Sequence, residues 1–401
     1  MALDSPCLIN PSLEEFSQWW IAQHHVLLAS NSKLLEAELL SRHLTRCTTQ
    51  TADNLNGPQE PCCFFLTSGT EGNPTWIALT RNALEISASV VNRHLHIQKD
   101  DRWLLALPPY HVGGFSILVR AHLAGNPVFF YEKKWCPEAF TSFCNHCRVT
   151  LTALVPTQVY DIVHNNISAP ESLRVVIVGG GYLAPALAEN AWRLGWPVIP
   201  TYGMTEAASQ IATLALPPHG QMPENFEWLT VLEHWCCDTD ECGQLTIRGP
   251  ALAQGKFSYS LNGRFWKWEK IDPSGYPTRD RVELRRQSNI TYLRFLGRDA
   301  SWIKILGELV NIDALRRQLD CILNHEQLPG RATIIEVPDT RAGQKLEMVT
   351  DLAPPLAEKI YHKYNSSQPG LTRCSSLRCV SHLPKSSLGK ILISQLPHPT
   401  T

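Results

Sequence analysis

From about residue 62 to residue 231 the chain alternates short apolar runs of β type with amphipathic helical patterns, and this alternation limits its fold more than any other feature. Parallel strands cannot be joined by a tight turn and need a crossover of a dozen or more residues, usually a helix. Strands are predicted at 103–107, 128–131, 151–155, 175–178 and 198–200, with helices such as 185–194 between them. The fold class is therefore α/β, layered around a largely parallel sheet. Residues 1–60 read as a helical cap, with Leu13, Phe16, Trp19 and Trp20 on one helix face, a second helical run at 34–44, and a polar stretch at 48–60. Beyond Val231 the pattern changes to short strands and turns, including 244–247 and 256–259. A β-rich subdomain near 232–298 then completes a core spanning 61–298. Residues 299–401, with a helix expected at 314–323 and a strand at 332–337, form a small α+β terminal domain.

A net charge of −1 over 401 residues gives no general field for a polyanion, and no dense Lys/Arg block is present, so nucleic acid is excluded as a partner. The apolar stretch 115–131 is broken by Arg120, His122 and Asn126, and residues 1–10 lack the basic start and apolar run of a signal peptide. The expectation is a cytoplasmic protein with no transmembrane segment. Thirteen cysteines, an odd number, point to free thiols in a reducing compartment, most of them buried as small hydrophobes. Cys144, His146 and Cys147, or Cys236, Cys237 and Cys242, make weak zinc candidates because no second Cys-x-x-Cys pair stands at a finger-like spacing.

The chemistry concentrates in a few segments. Directly after the apolar run 62–66 comes Thr67-Ser68-Gly69-Thr70-Glu71-Gly72-Asn73-Pro74. Its glycines allow close ligand approach, successive backbone N–H groups can form an anion nest, and Thr67, Ser68 and Thr70 add hydroxyl donors. It lacks the Gly-Lys-Ser/Thr of a P-loop NTPase, and taken alone it is equally a polar turn. Gly179-Gly180-Gly181 after the strand at 175–178 reads as a strand-to-helix turn or as a close approach to a base. With Ala184 it loosely fits dinucleotide-binding spacing, but the acid expected after the next strand is missing near Pro200. Asp280 between Arg279 and Arg281 reads by itself as a surface ion pair, and Lys390 as a solvated lysine.

Taken in order, the Thr67 loop, Tyr202-Gly203-Met204-Thr205-Glu206, Asp280, Gly297-Arg298-Asp299 and Pro384-Lys385-Ser386-Ser387-Leu388-Gly389-Lys390 resemble the motifs of the adenylate-forming acyl-CoA synthetases. The resemblance runs from about Phe64 to Ile393. The run from Tyr202 through Ser209 and Gln210 to Thr213, with Val337-Pro338-Asp339-Thr340-Arg341-Ala342-Gly343, is most similar to the o-succinylbenzoate-CoA ligase branch of menaquinone and phylloquinone biosynthesis.

This resemblance implies a two-step reaction using ATP, Mg²⁺ and CoA, in which a carboxylate forms an acyl-adenylate and the CoA thiol then displaces AMP. It also implies roles. Lys390 and Thr205 would face the α-phosphate, and Thr67, Ser68, Gly69, Thr70 and Gly72 would hold the outer phosphates. Glu206 would hold Mg²⁺, a hard cation suited to carboxylate and phosphate oxygen. Asp280 and Arg298 would hold the ribose. Tyr202, Gly203, Gly180 and Gly181 would enclose the base, and His111 would stand where the acyl site meets the CoA path. Ser209 and Gln210 are implied donors to the acid, and Asp299 is the implied hinge about which the terminal domain rotates to bring in or withdraw Lys390. The implied partners are small molecules, with a homo-oligomer left open.

Departures from the motif pattern are equally visible. Thr75 stands where the phosphate loop usually ends in lysine, Arg279 replaces the glycine before Asp280, and Leu306-Gly307-Glu308 stands for Gly-Gly-Glu. The short region before Thr67 argues against a long acyl tunnel. Rival readings are another small aryl or short-chain carboxylate-CoA ligase, a catalytically silent nucleotide-binding protein, or an adenylating domain serving a separate carrier protein.

Overall fold

The computed structural model describes residues 7–8, 16, 20, 25–28, 37, 40, 44, 57–58, 60–67, 75–218, 221–260, 265–298, 302–305, 308–328, 331–339, 343–386 and 391–396. Ser68, Gly69, Thr70, Gly72, Asp299 and Lys390 lie outside the described residues.

Two large sheets dominate. Half of the eleven-stranded sheet is parallel, with neighbours in the order Val198–Tyr202, Val175–Val178, Leu151–Leu154, Trp103–Leu105 and Val128–Phe130. The expected strands are thus present to within two residues. Connecting helices include Val112–Ala124, Pro137–Cys147, Pro156–His164 and Pro185–Arg193. The last three begin with proline, whose fixed φ and missing N–H suit a first helical position. Val175–Val178 is buried throughout, as a strand covered by helices on both faces must be.

The β-rich stretch does not stand apart. Leu229–Val231, Cys236–Thr239, Gln244–Arg248, Tyr276–Gln287 and Ile290–Arg298 extend the parallel sheet in antiparallel fashion. Gly255–Ser260 and Phe265–Lys270 instead join the six-stranded sheet, beside the hairpin of Cys62–Thr67 and Thr75–Thr80. Apolar periodicity locates such strands but says nothing of their partners, which a turn can send to either sheet. The N-terminal region likewise departs from an all-helical cap. Phe16, Trp20, Ala37, Leu40 and Leu44 are helical and buried, but Val26–Leu28 is a strand parallel to Cys62–Thr67. Three consecutive buried apolar residues fit a central strand as well as a helix.

Towards the C-terminus, Ile312–His325 and Pro354–Ser366 pack with the sheet Ala332–Asp339, Gly343–Thr350 and Cys374–Cys379 around a hydrophobic cluster separate from the main one. Asn311 Nδ2 and Arg317 Nη2 both donate to the Leu296 carbonyl, at 3.2 and 2.8 Å, tying this unit to the strand that precedes it.

Candidate active site

The strand Val198–Tyr202 ends the parallel half of the sheet, and the chain turns at once through Gly203 into a single turn, Thr205–Ala207. Gly203 is obligatory, because a Cβ there would lie 1.6 Å from the Ser209 carbonyl oxygen. Ser209 N donates to Met204 O at 3.2 Å and Ile211 N to Tyr202 O at 2.8 Å, returning the chain antiparallel to its own strand. The reversal holds Ala208 and Ser209 at φ of +50° and +106°. Such backbone costs of order 1–3 kcal/mol per residue and persists where its surroundings enforce it.

Asp280 faces this turn from the strand Tyr276–Gln287 and is 3% exposed. One carboxylate oxygen accepts from Tyr202 Oη at 2.7 Å, the other from Arg298 Nε at 2.9 Å. Arg298 is held in place by strand register, directly opposite Asp280. Burial and the adjacent Asp280 carboxylate raise the Tyr202 phenol well above its ordinary value, so it remains a neutral donor. Phe295 stacks on the Tyr202 ring at 5.6 Å between centroids, engaging one of its faces.

Glu206 is half-buried and accepts from Tyr276 Oη at 3.5 Å. Desolvation raises its carboxyl above the ordinary range, against the fields of Arg298 and Lys256, so the ionised form calls for a cation. Thr205 precedes it on the same turn. Gly180, at φ +75°, and Gly181 present exposed backbone beside Val155 and Pro156. Thr67 ends its strand opposite Thr75, donating its hydroxyl to the Thr75 carbonyl at 3.2 Å.

His111 precedes the helix Val112–Ala124. Its buried Nε2 has no hydrogen-bond partner among the described residues, and burial lowers its pKa, leaving a neutral imidazole near pH 7. Gln210 is 3% exposed, with its side-chain oxygen accepting from Thr213 Oγ1 at 2.7 Å, which leaves its NH₂ as the donor it offers.

One group that sequence reasoning passed over stands out. Arg120, 1% exposed, lies on the helix Val112–Ala124 with Nη2 3.5 Å from Ser209 Oγ, and Ser116 Oγ on the same helix reaches Ser209 Oγ at 3.4 Å. Among the described residues no carboxylate pairs with Arg120, and its Nε has no partner. Burial alone lowers it to about 9. Its signal in the sequence was an arginine inside an apolar helical run, which registered only as an interruption of a membrane span. The arrangement joins a buried cation with two hydroxyls, a strained turn carrying Glu206, and a carboxylate–tyrosine–arginine cluster.

No group of three or more His, Cys, Asp or Glu side chains that could hold a metal occurs among the described residues, so the cysteine-based zinc candidates gain no support. No helix among them is long and apolar enough to cross a membrane.

Comparison with known proteins bears on this arrangement. The family model described as AMP-binding enzyme matches residues 12–256, more than half of the chain. The chain is 32% identical over 201 residues to a 2-succinylbenzoate–CoA ligase of Bacillus velezensis, covering 48% of this chain and 41% of that protein. It is 31% identical over 223 residues to the protein of that name in Bacillus subtilis, covering 53% and 46%. The chain thus spans less than half the length of these curated relatives. Among solved structures, o-succinylbenzoate CoA synthetase from Bacillus subtilis with its acyl-adenylate intermediate aligns at a TM-score of 0.70 and 21% identity, covering 97% of this chain and 82% of that one. The amide bond synthetase of Marinactinospora thermotolerans aligns at 0.65 and 18%, covering 86% and 71%. These structures share the fold.

Proposed function

Because the chain belongs to the AMP-binding enzyme family, we propose that it ligates o-succinylbenzoate to CoA through an acyl-adenylate, releasing AMP and pyrophosphate. The observation that carries the choice of acid is Arg120. A guanidinium buried beside the Ser209 hydroxyl, with no carboxylate partner among the described residues, suits recognition of an anion. It lies beside Ser209, three residues from Glu206. An acid with two carboxylates can place one on Arg120 and present the other for adenylation, which a monocarboxylate cannot do.

In this reading the acid's carboxylate oxygen attacks the α-phosphorus, the α–β phosphoanhydride bond breaks, and pyrophosphate leaves. The CoA sulfur then attacks the acyl carbonyl and AMP departs. Thr205 and Lys390 would stabilise negative charge at the α-phosphate, while residues 67–72 hold the outer phosphates. Asp280, with a lone pair remaining on each oxygen, would accept the ribose hydroxyls, and its pairing with Tyr202 and Arg298 fixes its orientation beforehand. Gly180, Gly181 and Gly203 give the base close backbone approach beside Tyr202. Glu206 would hold Mg²⁺, and the fit is chemical: one desolvated carboxylate supplements phosphate oxygens, as this cation prefers. When bound, the ion neutralises phosphate charge. His111, neutral and without a partner at Nε2 among the described residues, would border the acyl site and the CoA path, with Ser209 and Gln210 as donors to the acid. Residues 299–401 would rotate about Asp299 between the two steps.

The test is AMP and pyrophosphate release by the purified protein with ATP, Mg²⁺ and CoA, using o-succinylbenzoate beside benzoate and a medium-chain fatty acid, with Lys390→Ala as control. Turnover restricted to o-succinylbenzoate and lost in the control is expected. Equal turnover of benzoate would move the assignment to a general aryl acid ligase, and inactivity with all acids would leave a silent nucleotide-binding protein.

A further inference from the structure

We propose that Lys256, delivered from a neighbouring strand, is the cation that binds the outer phosphates of ATP in this chain. This rests on the adenylating reading above and adds a binding residue to it.

The need arises from the sequence. Residues 67–75 contain no lysine or arginine and one acid, Glu71, so this segment offers amide and hydroxyl donors but no positive charge to a strongly anionic polyphosphate. The register shows where charge is supplied. Strand Gly255–Ser260 runs antiparallel to Thr75–Thr80, with Ser258 opposite Thr75, Phe257 opposite Trp76 and Lys256 opposite Ile77. Directly opposed residues share a sheet face and alternate residues return to it. Phe257 and Trp76 both belong to the cluster on one face of the sheet, whereas Ile77 belongs to the main core on the other. Lys256 therefore shares the face of Ile77, Thr75 and Ser258, diagonal to Thr75 at about 7–8 Å, a span that long side chains bridge.

A second tether points the same way. Ala253 N donates to the Glu206 carbonyl at 2.8 Å and Gln254 N to Ala78 O at 2.9 Å, so the chain just before Lys256 is fastened both to the candidate magnesium ligand and to the Thr75 strand. Arg298 is already bonded to buried Asp280. Among the described residues Lys256 is paired only with Glu269, its cross-strand neighbour, at 3.1 Å, and the Glu269 side chain is 54% exposed. A pair open to water is weak and exchanges readily for a phosphate. Lys256 thus supplies the cation that Thr75 does not.

The experiment measures ATP–Mg²⁺ and AMP binding calorimetrically, without acid or CoA, for wild type, Lys256→Met, Thr75→Lys/Lys256→Met and Glu269→Gln, with circular dichroism to verify folding. Removing a charge-assisted phosphate contact is expected to weaken ATP binding roughly ten- to hundredfold. AMP binding, which lacks the outer phosphates, stays within about twofold by the same reasoning. Thr75→Lys is expected to restore most of the lost ATP affinity, and Glu269→Gln to leave it unchanged. Unaltered ATP binding in Lys256→Met, failure of Thr75→Lys to restore it, or an equal loss in Glu269→Gln overturns the proposal and leaves Lys256 as half of a cross-strand pair. Those results leave the adenylating reading standing. A wild-type protein that binds no ATP overturns both.

Discussion

Replacing Arg120 by methionine separates a residue kept for its ligand from one kept for the fold. The guanidinium is 1% exposed, and burial lowers its pKa from the ordinary arginine value to about 9. At about 1.4 kcal/mol per pKa unit, that displacement amounts to roughly 4–5 kcal/mol against the charged form. A single hydroxyl contact near the outer limit of hydrogen bonding, from Nη2 to Ser209 Oγ at 3.5 Å, recovers little of it. Methionine fills much of the same volume with no charge to desolvate, and such replacements of buried ionic groups stabilise by about 1–4 kcal/mol. The main-chain carbonyl of residue 120 continues to accept from Asn92 Nδ2 at 2.9 Å, so the helix keeps its lateral tie. Arg120→Met is therefore expected to raise Tm by several degrees in differential scanning fluorimetry. The substrate pays the opposite way: loss of a buried charge partner, about 3–5 kcal/mol, predicts a rise in KM for o-succinylbenzoate of at least a hundredfold. Any residual turnover of benzoate is expected to be unchanged, since benzoate has no second carboxylate to seat. A variant that melts lower and binds o-succinylbenzoate as well as wild type would refute the argument and assign Arg120 to scaffolding.

Other substitutions test the rest of the site. Glu206→Gln is expected to abolish adenylation while raising Tm at neutral pH. The folded carboxyl is raised above its unfolded value, so its ionised form penalises the fold above the folded pKa, and the gain from Gln should vanish as pH falls below the unfolded value; Tm measured from pH 4 to 8 checks the sign. Tyr202→Phe removes a donor from the buried Asp280 carboxylate, which predicts a loss of about 1.5–3 kcal/mol in urea unfolding together with a higher KM for ATP. Gly203→Ala places a Cβ 1.6 Å from the Ser209 carbonyl oxygen and should yield little soluble folded protein; a normal melting curve would contradict the turn geometry.

The parallel half of the large sheet was legible because its strands are short, almost wholly apolar and separated by helical stretches, so each run reveals its own identity. Lys256 and Arg120 were not legible, and the reasons differ. The strand at 256–259 was expected, but its importance lies in pairing with Thr75–Thr80, some 180 residues away in sequence, and no local pattern encodes a partner. Arg120 sits in an apolar helical run, from which a long basic side chain normally reaches water along its apolar stem; only the packing around the helix shows that it does not. Asp280 falls between these cases. Its flanking arginines suggested a surface pair, yet strand alternation turns it inward, where it meets Tyr202 from one strand and Arg298 from another. What tertiary structure adds at all three positions is the environment of a charge. A sequence motif names the ionisable residue, but whether that residue is solvated, paired or left to await a ligand depends on strands and helices distant along the chain. A search of this fold for function is therefore best directed at buried charges whose partners the protein does not itself provide.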